Sequence, residues 1–216
     1  MTKVLAIVGM GEGNGMAIAR RFGQAGFTIA MLARNQAKLE GYVATLSSED
    51  LSAHAFVADA GDKHAVESAL QAIHRQLEGP EVLVYNAAVP RMENVLTTHY
   101  EDLILDFQAN VAGALVAAQT VVPYMQEEGQ GTILITGGGF ALYPHPDFAS
   151  LAIGKAGIRS LAFTLAAALQ DKGIRVGTVT ICGTVDPADP KYNPDTIAEE
   201  YWKLYSADSP DVEVVY

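Results

Sequence analysis

Cysteine and basic residues are scarce in this chain of 216 residues. A single cysteine, Cys182, excludes an intrachain disulfide bond, which is typical of a protein in a reducing cytoplasm. There are 14 Lys and Arg against 25 Asp and Glu, and the net charge of −11 argues against nucleic acids or anionic membranes as partners, since both attract excess positive charge. Charged residues make up 18% of the chain and hydrophobic residues 50%, so we expect a sizeable core and no global disorder.

Long uninterrupted apolar runs are also absent. The apolar run at residues 4–8 is too short for a secretory signal and leads directly into glycines. Residues 107–126 form the longest uncharged helical stretch, but polar residues and Pro123 interrupt it, which favours a helix buried in a core or subunit interface over a membrane span. We therefore expect a cytoplasmic protein, and the chain length predicts one domain over residues 1–216.

Short β-branched segments alternate with longer segments of helical periodicity. The strand-like segments are apolar on both faces, as a parallel strand covered by helices on both sides requires. This alternation predicts the α/β class: a doubly wound parallel sheet of about seven strands, of the Rossmann type, with helices on both faces. The predicted strands span residues 3–8, 28–32, 53–57, 82–85, 132–136, 175–181 and 212–216, and the predicted helices span 16–25, 36–46, 63–77, 100–125, 148–171 and 196–205.

Turn and capping residues mark the ends of these helices. Residues 98–101 have the pattern of a capping box, and Asn193 before Pro194 predicts the start of the last helix. Glycines stand where helices should end, at Gly26, Gly79, Gly129 and Gly173. These signals divide the chain into strand–helix units with no linker between domains.

A glycine-rich turn separates the first predicted strand from the first predicted helix. Glycine permits positive φ and lets backbone N–H groups approach an anion, and the helix N-terminus adds partial positive charge, so this turn can hold a pyrophosphate. Such a turn also occurs without a ligand, but the strand before it, the helix after it and a second strand ending near Ala33 favour a dinucleotide site. We predict cofactor contacts from Gly9, Gly11, Glu12, Gly13, Asn14, Gly15 and Met16.

The spacing of Gly9, Gly13 and Gly15 resembles that of the short-chain dehydrogenase/reductase family. Other segments in the same order resemble the family as well, and the resemblance covers essentially the whole chain. Residues 85–88, Tyr-Asn-Ala-Ala, resemble the family's Asn-Asn-Ala-Gly segment, and residues 154–157 resemble the segment with its active-site lysine. The resemblance implies cofactor contacts from Asp59, Ala60, Asn86, Ala87, Lys155 and Val185, and catalytic roles for Asn110 and Lys155.

The residue after the second strand bears on the choice of dinucleotide. An NAD enzyme usually places Asp or Glu there to bond the ribose 2′-hydroxyl, whereas this chain has Ala33 followed by Arg34. A guanidinium can bond a 2′-phosphate bidentately, which favours NADP, and a solvated loop arginine is the alternative. Glu12, an acid near the phosphates, argues against NADP, so NAD is the alternative cofactor.

Two of the four catalytic groups that the resemblance implies are missing. In the family a tyrosine transfers the proton, a lysine four residues later lowers the tyrosine pKa and holds the nicotinamide ribose, a serine bonds the substrate oxygen, and an asparagine supports a water relay. Asn110 and Lys155 are present, but Leu151 stands at the tyrosine position and Gly138 at the serine position. Loss of a general acid costs roughly 10²- to 10⁴-fold in rate.

Two other side chains are candidates to replace the missing hydroxyls. His145 stands in a loop expected to border the substrate cleft, and histidine suits proton transfer near neutral pH; a solvated loop histidine is the alternative. Thr136 can donate a hydrogen bond in place of the serine, and a strand residue with a satisfied hydroxyl is the alternative.

The segment after the sixth strand is expected to cover the substrate. Residues 186–205 predict a lid whose aromatic residues suit a partly apolar pocket wall, with core packing as an equal alternative; they are Tyr192, Tyr201, Trp202 and Tyr205. Cys182 is expected to be a small buried apolar residue. By resemblance, the long apolar helices at 106–125 and 151–169 form the interface of a homodimer or homotetramer.

Two functions of different classes fit these observations. The first is an NADP-dependent oxidoreductase that transfers a hydride between NADP(H) and a small carbonyl or alcohol with a non-standard proton donor. The second is a catalytically silent NADP-binding protein, a sensor or inactive subunit, which the loss of serine and tyrosine favours. A third is a methyltransferase that binds S-adenosylmethionine, against which Arg34 and the Lys155 segment argue. No metal site is expected.

Overall fold

The structure is a computed structural model that describes residues 3–207 and 211–216. Its strands form one 7-stranded sheet in the order β3-β2-β1-β4-β5-β6-β7, and all pairings are parallel. The predicted doubly wound sheet is confirmed, with each strand end within one residue of its prediction. The strands are β1 (Val4–Val8), β2 (Thr28–Ala33), β3 (Ala53–Val57), β4 (Val82–Tyr85), β5 (Gly131–Thr136), β6 (Ile174–Thr180) and β7 (Glu213–Val215).

Helices cover both faces of the sheet. They are α1 (Asn14–Gly23), α2 (Gln36–Ser48), α3 (Lys63–Leu77), α4 (Tyr100–Phe107), α5 (Gly113–Glu127), α6 (Ala149–Leu169) and α7 (Pro194–Ser206), with short 3₁₀ turns at Gly139–Ala141 and Gln170–Lys172. Helices α3, α5 and α6 share a core with Val4 and Ala6, while α1, α2 and α7 share the other core with Leu5 and Ile7. Alternate residues of β1 therefore enter different cores, which explains why this strand is apolar throughout.

Most of the predicted helix ends are confirmed. Gly26, Gly79, Gly129 and Gly173 all have positive φ, between 70° and 90°. Asn193 caps α7 by accepting a hydrogen bond from the N–H of Thr196. The capping box predicted at 98–101 is wrong, because the Thr98 hydroxyl donates to the Asn94 carbonyl (3.0 Å) and α4 begins after His99 without a side-chain cap.

The helix predicted over 100–125 is interrupted by a π-helical turn, Gln108–Ala112, which separates α4 from α5. A close approach follows this turn: a Cβ atom at Gly113 would lie 2.0 Å from the Ala60 carbonyl oxygen and 2.5 Å from the Tyr85 hydroxyl. π-Helical turns inside α-helices are common at functional sites. Here the turn contains Asn110, whose side chain it buries.

Helix α7 packs along α1. Its Ile197, Ala198 and Tyr201 are buried, and the Trp202 ring meets the Phe22 ring edge-on at 5.2 Å between centroids. For Tyr201, Trp202 and Tyr205 the observed arrangement is therefore core packing, which was the alternative to the lid wall expected over 186–205. The physical reason is that the aromatic side chains of α7 meet Phe22 and Phe27 across the helix–sheet layer.

Helix α6 and its 3₁₀ extension, Ala149–Lys172, are long and apolar enough by length and composition to cross a membrane, a test that core helices of globular proteins also pass. Its outer side carries Ile153 and Phe163, which are 46% and 41% exposed. The apolar side chains of α6 that do not face the core are thus exposed in the single chain.

Candidate dinucleotide and active site

The glycine turn sits at the carboxyl ends of β1, β2 and β4. Gly9 has φ +90°, and a Cβ atom there would lie 2.4 Å from the Ala87 backbone nitrogen. The N–H groups of Gly9 and Met10 both donate to the Leu32 carbonyl, at 3.0 and 2.9 Å. The Gly9 carbonyl accepts from the Asn86 side chain at 2.9 Å. Gly9 and Asn86 therefore hold the turn against the neighbouring strands, which needs glycine at position 9 and an amide at 86.

The next glycines leave space open. A Cβ atom at Gly11 or Gly13 would have no described atom within 4 Å, whereas one at Gly15 would lie 3.2 Å from the Met10 sulfur. Among the glycines of this turn, only Gly9 has positive φ. Space above the first turn of α1 is what a pyrophosphate at a helix N-terminus requires.

Polar groups at the start of α1 fit a bound ligand. Among the described residues, the Asn14 Oδ1 atom is buried and has no hydrogen-bond partner. The first turn of α1 contains no acidic residue. Glu12 is exposed just before it, and the Met16 side chain is buried while its N–H donates to the Gly11 carbonyl at 3.0 Å. The unpaired Asn14 oxygen is an acceptor that a cofactor hydroxyl can satisfy, whereas Met16 serves the turn itself.

Arg34 and Asp59 face each other across a cleft beside this turn. The Arg34 Nη1 atom lies 3.9 Å from Asp59 Oδ2, and the Arg34 side chain is 76% exposed. The cleft has a volume of about 240 Å³, and its lining includes Ala60, Asn86 and Ala87 besides this pair. The predicted cofactor contacts Arg34, Asp59, Ala60, Asn86 and Ala87 therefore lie around one cleft.

A second basic residue was missed by sequence reasoning. Lys38, in the first turn of α2, lines a neighbouring cleft together with Glu12, Arg34, Asn35 and Tyr42. The signal that could have found Lys38 is its spacing, one helical turn after Arg34 at the start of a helix. Two basic side chains, Arg34 and Lys38, in one cleft favour an anionic ligand there. Glu12 is the one acidic residue among those just named.

Asn110 and Lys155 lie on elements that touch. The Asn110 Oδ1 atom accepts from the Val89 N–H at 2.7 Å, and its Nδ2 atom has no partner among the described residues. A Cβ atom at Gly154 would lie 2.8 Å from the Asn110 Cβ. Glycine at 154 therefore allows α6 to approach the π-helical turn, which places Lys155 next to the Asn110 segment.

Lys155 turns toward the end of β5. Its Nζ atom donates to the Thr136 carbonyl at 2.7 Å, and burial lowers the pKa of Lys155 to about 8. A Cβ atom at Gly138 would lie 3.2 Å from the Cδ and Cε atoms of Lys155. The aliphatic part of the Lys155 side chain thus packs beside Gly138, which stands at the serine position of the family. Leu151, one turn earlier on α6, is buried and brings no titratable group.

His145 is engaged within its own loop. Its side chain is 53% exposed, its Nδ1 atom accepts from the Asp147 N–H at 3.2 Å, and its ring meets Phe148 edge-on at 5.9 Å. No contact described for residues 3–207 and 211–216 joins the imidazole to Lys155. This geometry favours the solvated-loop interpretation of His145.

Thr136 belongs to a chain of hydrogen bonds behind the site. The Tyr201 hydroxyl donates to Thr136 Oγ1 at 2.7 Å, and Thr136 Oγ1 donates to Asn86 Oδ1 at 2.9 Å. Burial raises the pKa of Tyr201. The Thr136 hydroxyl is therefore satisfied within the protein, and this chain joins α7 to β5, β4 and, through Gly9, the glycine turn.

A buried ion pair beside α6 was not predicted. The Asp106 carboxylate is 2% exposed and accepts from Arg91 at 2.7 and 3.1 Å and from the Ser150 hydroxyl at 2.7 Å. Burial alone would raise the pKa of Asp106, but the hydrogen bonds from Arg91 and Ser150 outweigh it and lower that pKa. Ser150 therefore points away from the cleft, and α4, α6 and the loop after β4 are joined.

The segment after β6 contains the last of the predicted cofactor contacts. Val185, expected to contact the cofactor carboxamide through its backbone, is 38% exposed. Cys182 is exposed, which corrects its expected burial; its N–H donates to the Tyr216 carbonyl at 2.7 Å, so it continues the pairing of β6 with β7. A Cβ atom at Gly183 would lie 2.3 Å from the Tyr192 ring. Among the described residues no group of three or more metal-binding side chains is found.

Comparisons with known proteins agree with this geometry. The short chain dehydrogenase family model matches residues 3–195. The chain is 28% identical over 213 residues to 2,3-dihydro-2,3-dihydroxybenzoate dehydrogenase of Bacillus subtilis (strain 168), covering 99% of this chain and 77% of that protein. It is 31% identical over 175 residues to dehydrogenase/reductase SDR family member 4 of Sus scrofa, where it covers 81% of this chain but spans 63% of that protein.

Solved structures show the same fold. A metagenomic short-chain oxidoreductase in complex with NADP superposes with a TM-score of 0.90 at 22% identity, covering 99% of this chain and 96% of that one. L-sorbose reductase from Gluconobacter frateurii, complexed with NADPH and L-sorbose, gives 0.90 at 21% identity over 98% and 93% of the two chains. The family match argues against the methyltransferase alternative. With a matching family model over most of its length, this chain belongs to the short-chain dehydrogenase/reductase family of oxidoreductases.

Proposed function

We propose that this protein is an NADP-dependent oxidoreductase that interconverts a small carbonyl compound and its alcohol with a non-standard proton donor. One observation carries the proposal: a glycine turn with open space above it and the half-buried Lys155 lie at the same edge of the sheet. In open α/β sheets, ligands bind outside the carboxyl ends of the strands. The relatives and structural neighbours whose names state dehydrogenase or reductase activity support the same class.

The residues present fit a dinucleotide phosphate. Gly11 and Gly13 leave room at the N-terminus of α1, and Asn14 offers an unpaired buried oxygen. Arg34 and Lys38 supply positive charge for a 2′-phosphate, which favours NADP over NAD; NADP and NADPH are also the cofactors of the two solved neighbours. Asp59, Ala60, Asn86 and Ala87 would line the adenosine side, and Lys155, Val185 and the Asn110 segment the nicotinamide side.

When bound, the reduced nicotinamide supplies a hydride with its two electrons to the carbonyl carbon. The chain's own residues would orient the carbonyl group, keep water out and deliver a proton to its oxygen. Holding the reactants in one geometry supports rate even without an optimal acid, so loss of the serine and tyrosine slows the reaction without abolishing it.

A silent NADP-binding protein, a sensor or inactive subunit, is the second candidate. The absence of hydroxyl groups at positions 138 and 151 favours it. The two candidates share the cofactor site and differ only in turnover.

Titration of the protein with NADPH and NADH, followed by fluorescence, tests the shared part. We expect saturable binding that is tighter for NADPH. Incubation of the NADPH complex with a panel of small aldehydes and ketones then separates the candidates, because the enzyme oxidises NADPH above the buffer rate and the silent protein does not. Absence of binding to either nucleotide at millimolar concentration contradicts both.

We also propose a homodimer or homotetramer that forms through the outer sides of α4, α5 and α6, in the cytoplasm. The exposed apolar side chains there support this proposal; they are Leu105, Phe107, Leu115, Ile153 and Phe163. An exposed apolar surface of this kind on a monomer is a mark of an interaction site.

A further inference from the structure

The position of the missing serine is filled by the stem of Lys155. Gly138 has no side chain, and the Cγ, Cδ and Cε atoms of Lys155 lie 3.3, 3.2 and 3.2 Å from where its Cβ would be. The lysine reaches past this point, so that its Nζ atom comes within 2.7 Å of the Thr136 carbonyl. The amine therefore lies at the end of β5, the strand whose end carries the serine in the family pattern.

We infer that the Lys155 ammonium is itself the proton donor to the substrate oxygen. This inference rests on the proposed oxidoreductase function. In the reductive direction the carbonyl carbon accepts the hydride, the π electron pair of the carbonyl moves to oxygen, and an N–H bond of Lys155 breaks as its proton forms the new O–H bond. The neutral amine that remains regains a proton from water. In the oxidative direction the neutral amine accepts the alcohol proton.

The hydrogen bond of Lys155 is compatible with this role. An ammonium group has three N–H donors, and the Thr136 carbonyl uses one of them, which fixes the amine and leaves two donors for a substrate oxygen and a cofactor hydroxyl. The Thr136 hydroxyl is satisfied by Tyr201 and Asn86, so it is not needed as a donor.

The acidity of Lys155 suits proton transfer near neutral pH. Burial lowers its pKa to about 8 and is the only cause of that shift among the described residues. An amine with such a pKa is largely protonated at pH 7 and still able to release its proton, which is the compromise that general acid catalysis requires.

The charged groups on the neighbouring elements are engaged elsewhere. Arg159, one turn later on α6, pairs with Glu213 of β7 at 2.7 Å, and the Glu213 carboxylate also accepts from the Thr180 hydroxyl of β6 at 2.6 Å. Asp106 of α4 pairs with Arg91 at 2.7 Å.

Two further titratable groups border the end of β5. The Tyr201 hydroxyl of α7 lies behind Thr136. The Cys182 Sγ atom would lie 3.4 Å from a Cβ atom at Gly139, and it donates weakly to the Thr180 carbonyl at 3.6 Å. Within residues 3–207 and 211–216, neither Tyr201 nor Cys182 has a described contact with Lys155. The Lys155 amine is therefore the group available to donate a proton at the end of β5.

The experiment compares four proteins: wild type, Lys155→Arg, Gly138→Ala and Gly41→Ala. Arginine keeps a positive charge and hydrogen-bond donors but does not release a proton near neutral pH. Alanine at 138 adds a Cβ 3.2 Å from the lysine stem, which must shift by a few tenths of an ångström, whereas alanine at 41, on α2, meets no described atom within 4 Å and serves as the matched control. NADPH affinity is measured for each variant, so that turnover is compared at saturating cofactor.

We expect Lys155→Arg to retain NADPH binding and to lose about 10²- to 10⁴-fold in kcat. We expect Gly138→Ala to lower kcat at saturating NADPH and Gly41→Ala to match wild type. A second readout needs no turnover and uses the unliganded protein. Acylation of Lys155 by acetic anhydride is followed by mass spectrometry as a function of pH. The midpoint of this pH dependence should lie near 8 in wild type, and the midpoint should be higher in Gly138→Ala.

Three results overturn the inference. Lys155→Arg with kcat within a few-fold of wild type shows that the lysine only positions its neighbours. An acylation midpoint at the ordinary lysine value in wild type removes the acidity that the role requires. Wild type that binds NADPH and reduces no carbonyl overturns the proposed function and this role together, whereas the first two results leave the oxidoreductase proposal standing.

Discussion

At Gly9 two constraints coincide, a φ of +90° and a backbone nitrogen of Ala87 only 2.4 Å from where a Cβ would lie. Gly26 has the same φ but no described atom within 4 Å of its Cβ position, so Gly26→Ala measures backbone strain alone. We expect Gly26→Ala to cost about 1–2 kcal/mol in the free energy of unfolding, and Gly9→Ala to cost at least about 2 kcal/mol more. Urea unfolding measures both, and equal losses would show that the Ala87 contact relaxes freely.

Arg34 carries the expected preference for NADPH. Hydrogen bonds to charged groups contribute roughly 1.5–3 kcal/mol, so Arg34→Ala should weaken NADPH binding about 10- to 100-fold and leave NADH binding nearly unchanged. Fluorescence titration of both nucleotides measures the ratio. Arg75→Ala is the control, since it removes the same charge from α3, away from the residues that line the two clefts. An equal effect of the two variants on NADPH would mean that Arg34 acts only through overall charge.

Residue positions set by local spacing were predictable, and those set by tertiary contacts were not. Asn110 and Lys155 came from motifs within the sequence. The partners of Asp106, by contrast, are 15 and 44 residues away, in a loop and on another helix, and no local pattern connects them. The expected burial of Cys182 failed for a related reason, because its exposure depends on where the chain turns after β6.

Among the elements, α4 and α6 are tied through the carboxylate of Asp106. Because its folded pKa is lowered, the stability it adds is present above the unfolded pKa and is lost as pH falls through the folded value. We expect Asp106→Asn to cost about 2–4 kcal/mol at pH 7, and the difference from wild type to shrink toward acidic pH. Urea unfolding across pH measures this.

The matched control is Asp102→Asn, which also removes a carboxylate beside Arg91, but at a pair whose side chains are both 33% exposed. Such a partly exposed pair should contribute less than about 1 kcal/mol. A pH-independent loss in Asp106→Asn would argue that the carboxylate charge plays no part and that packing alone is disturbed.

The type of each element was predictable, but its interruptions were not. Strands that are apolar on both faces and helices with 3.6-residue periodicity were found because the sheet is covered on both sides. The π-helical turn Gln108–Ala112 has no sequence signature of its own. It is recognised only through the close approach of Gly113 to Ala60, which comes from a different strand–helix unit.

For the molecule as a whole, an apolar outer surface on α4, α5 and α6 predicts self-association. We expect the wild type to sediment as a dimer or tetramer, and Ile153→Arg with Phe163→Arg to shift it to the monomer, because each places a charge in a surface that is 46% and 41% exposed in the single chain. Ser48→Arg on α2, on the other face of the sheet, is the control. A wild type that sediments as a monomer at micromolar concentration contradicts the prediction.

The sheet topology could be predicted from the sequence because the fold repeats one unit, a buried parallel strand followed by a covering helix. An error of one or two residues in the bounds of a unit does not change the predicted order of the strands. The packing of the last helix, α7, could not be predicted from the sequence. Its aromatic residues suit a pocket wall and a core equally well, and the choice was decided by contacts with Phe22 of α1 and with Phe27, which precedes β2.

The contact between Lys155 and residue 138 has an evolutionary consequence. A serine at that position would place its Cβ 3.2 Å from the lysine stem, which would have to shift by a few tenths of an ångström. Because the same lysine also donates to the Thr136 carbonyl, a change at residue 138 is felt at its amine. We therefore expect substitutions at positions 138 and 155 to be epistatic.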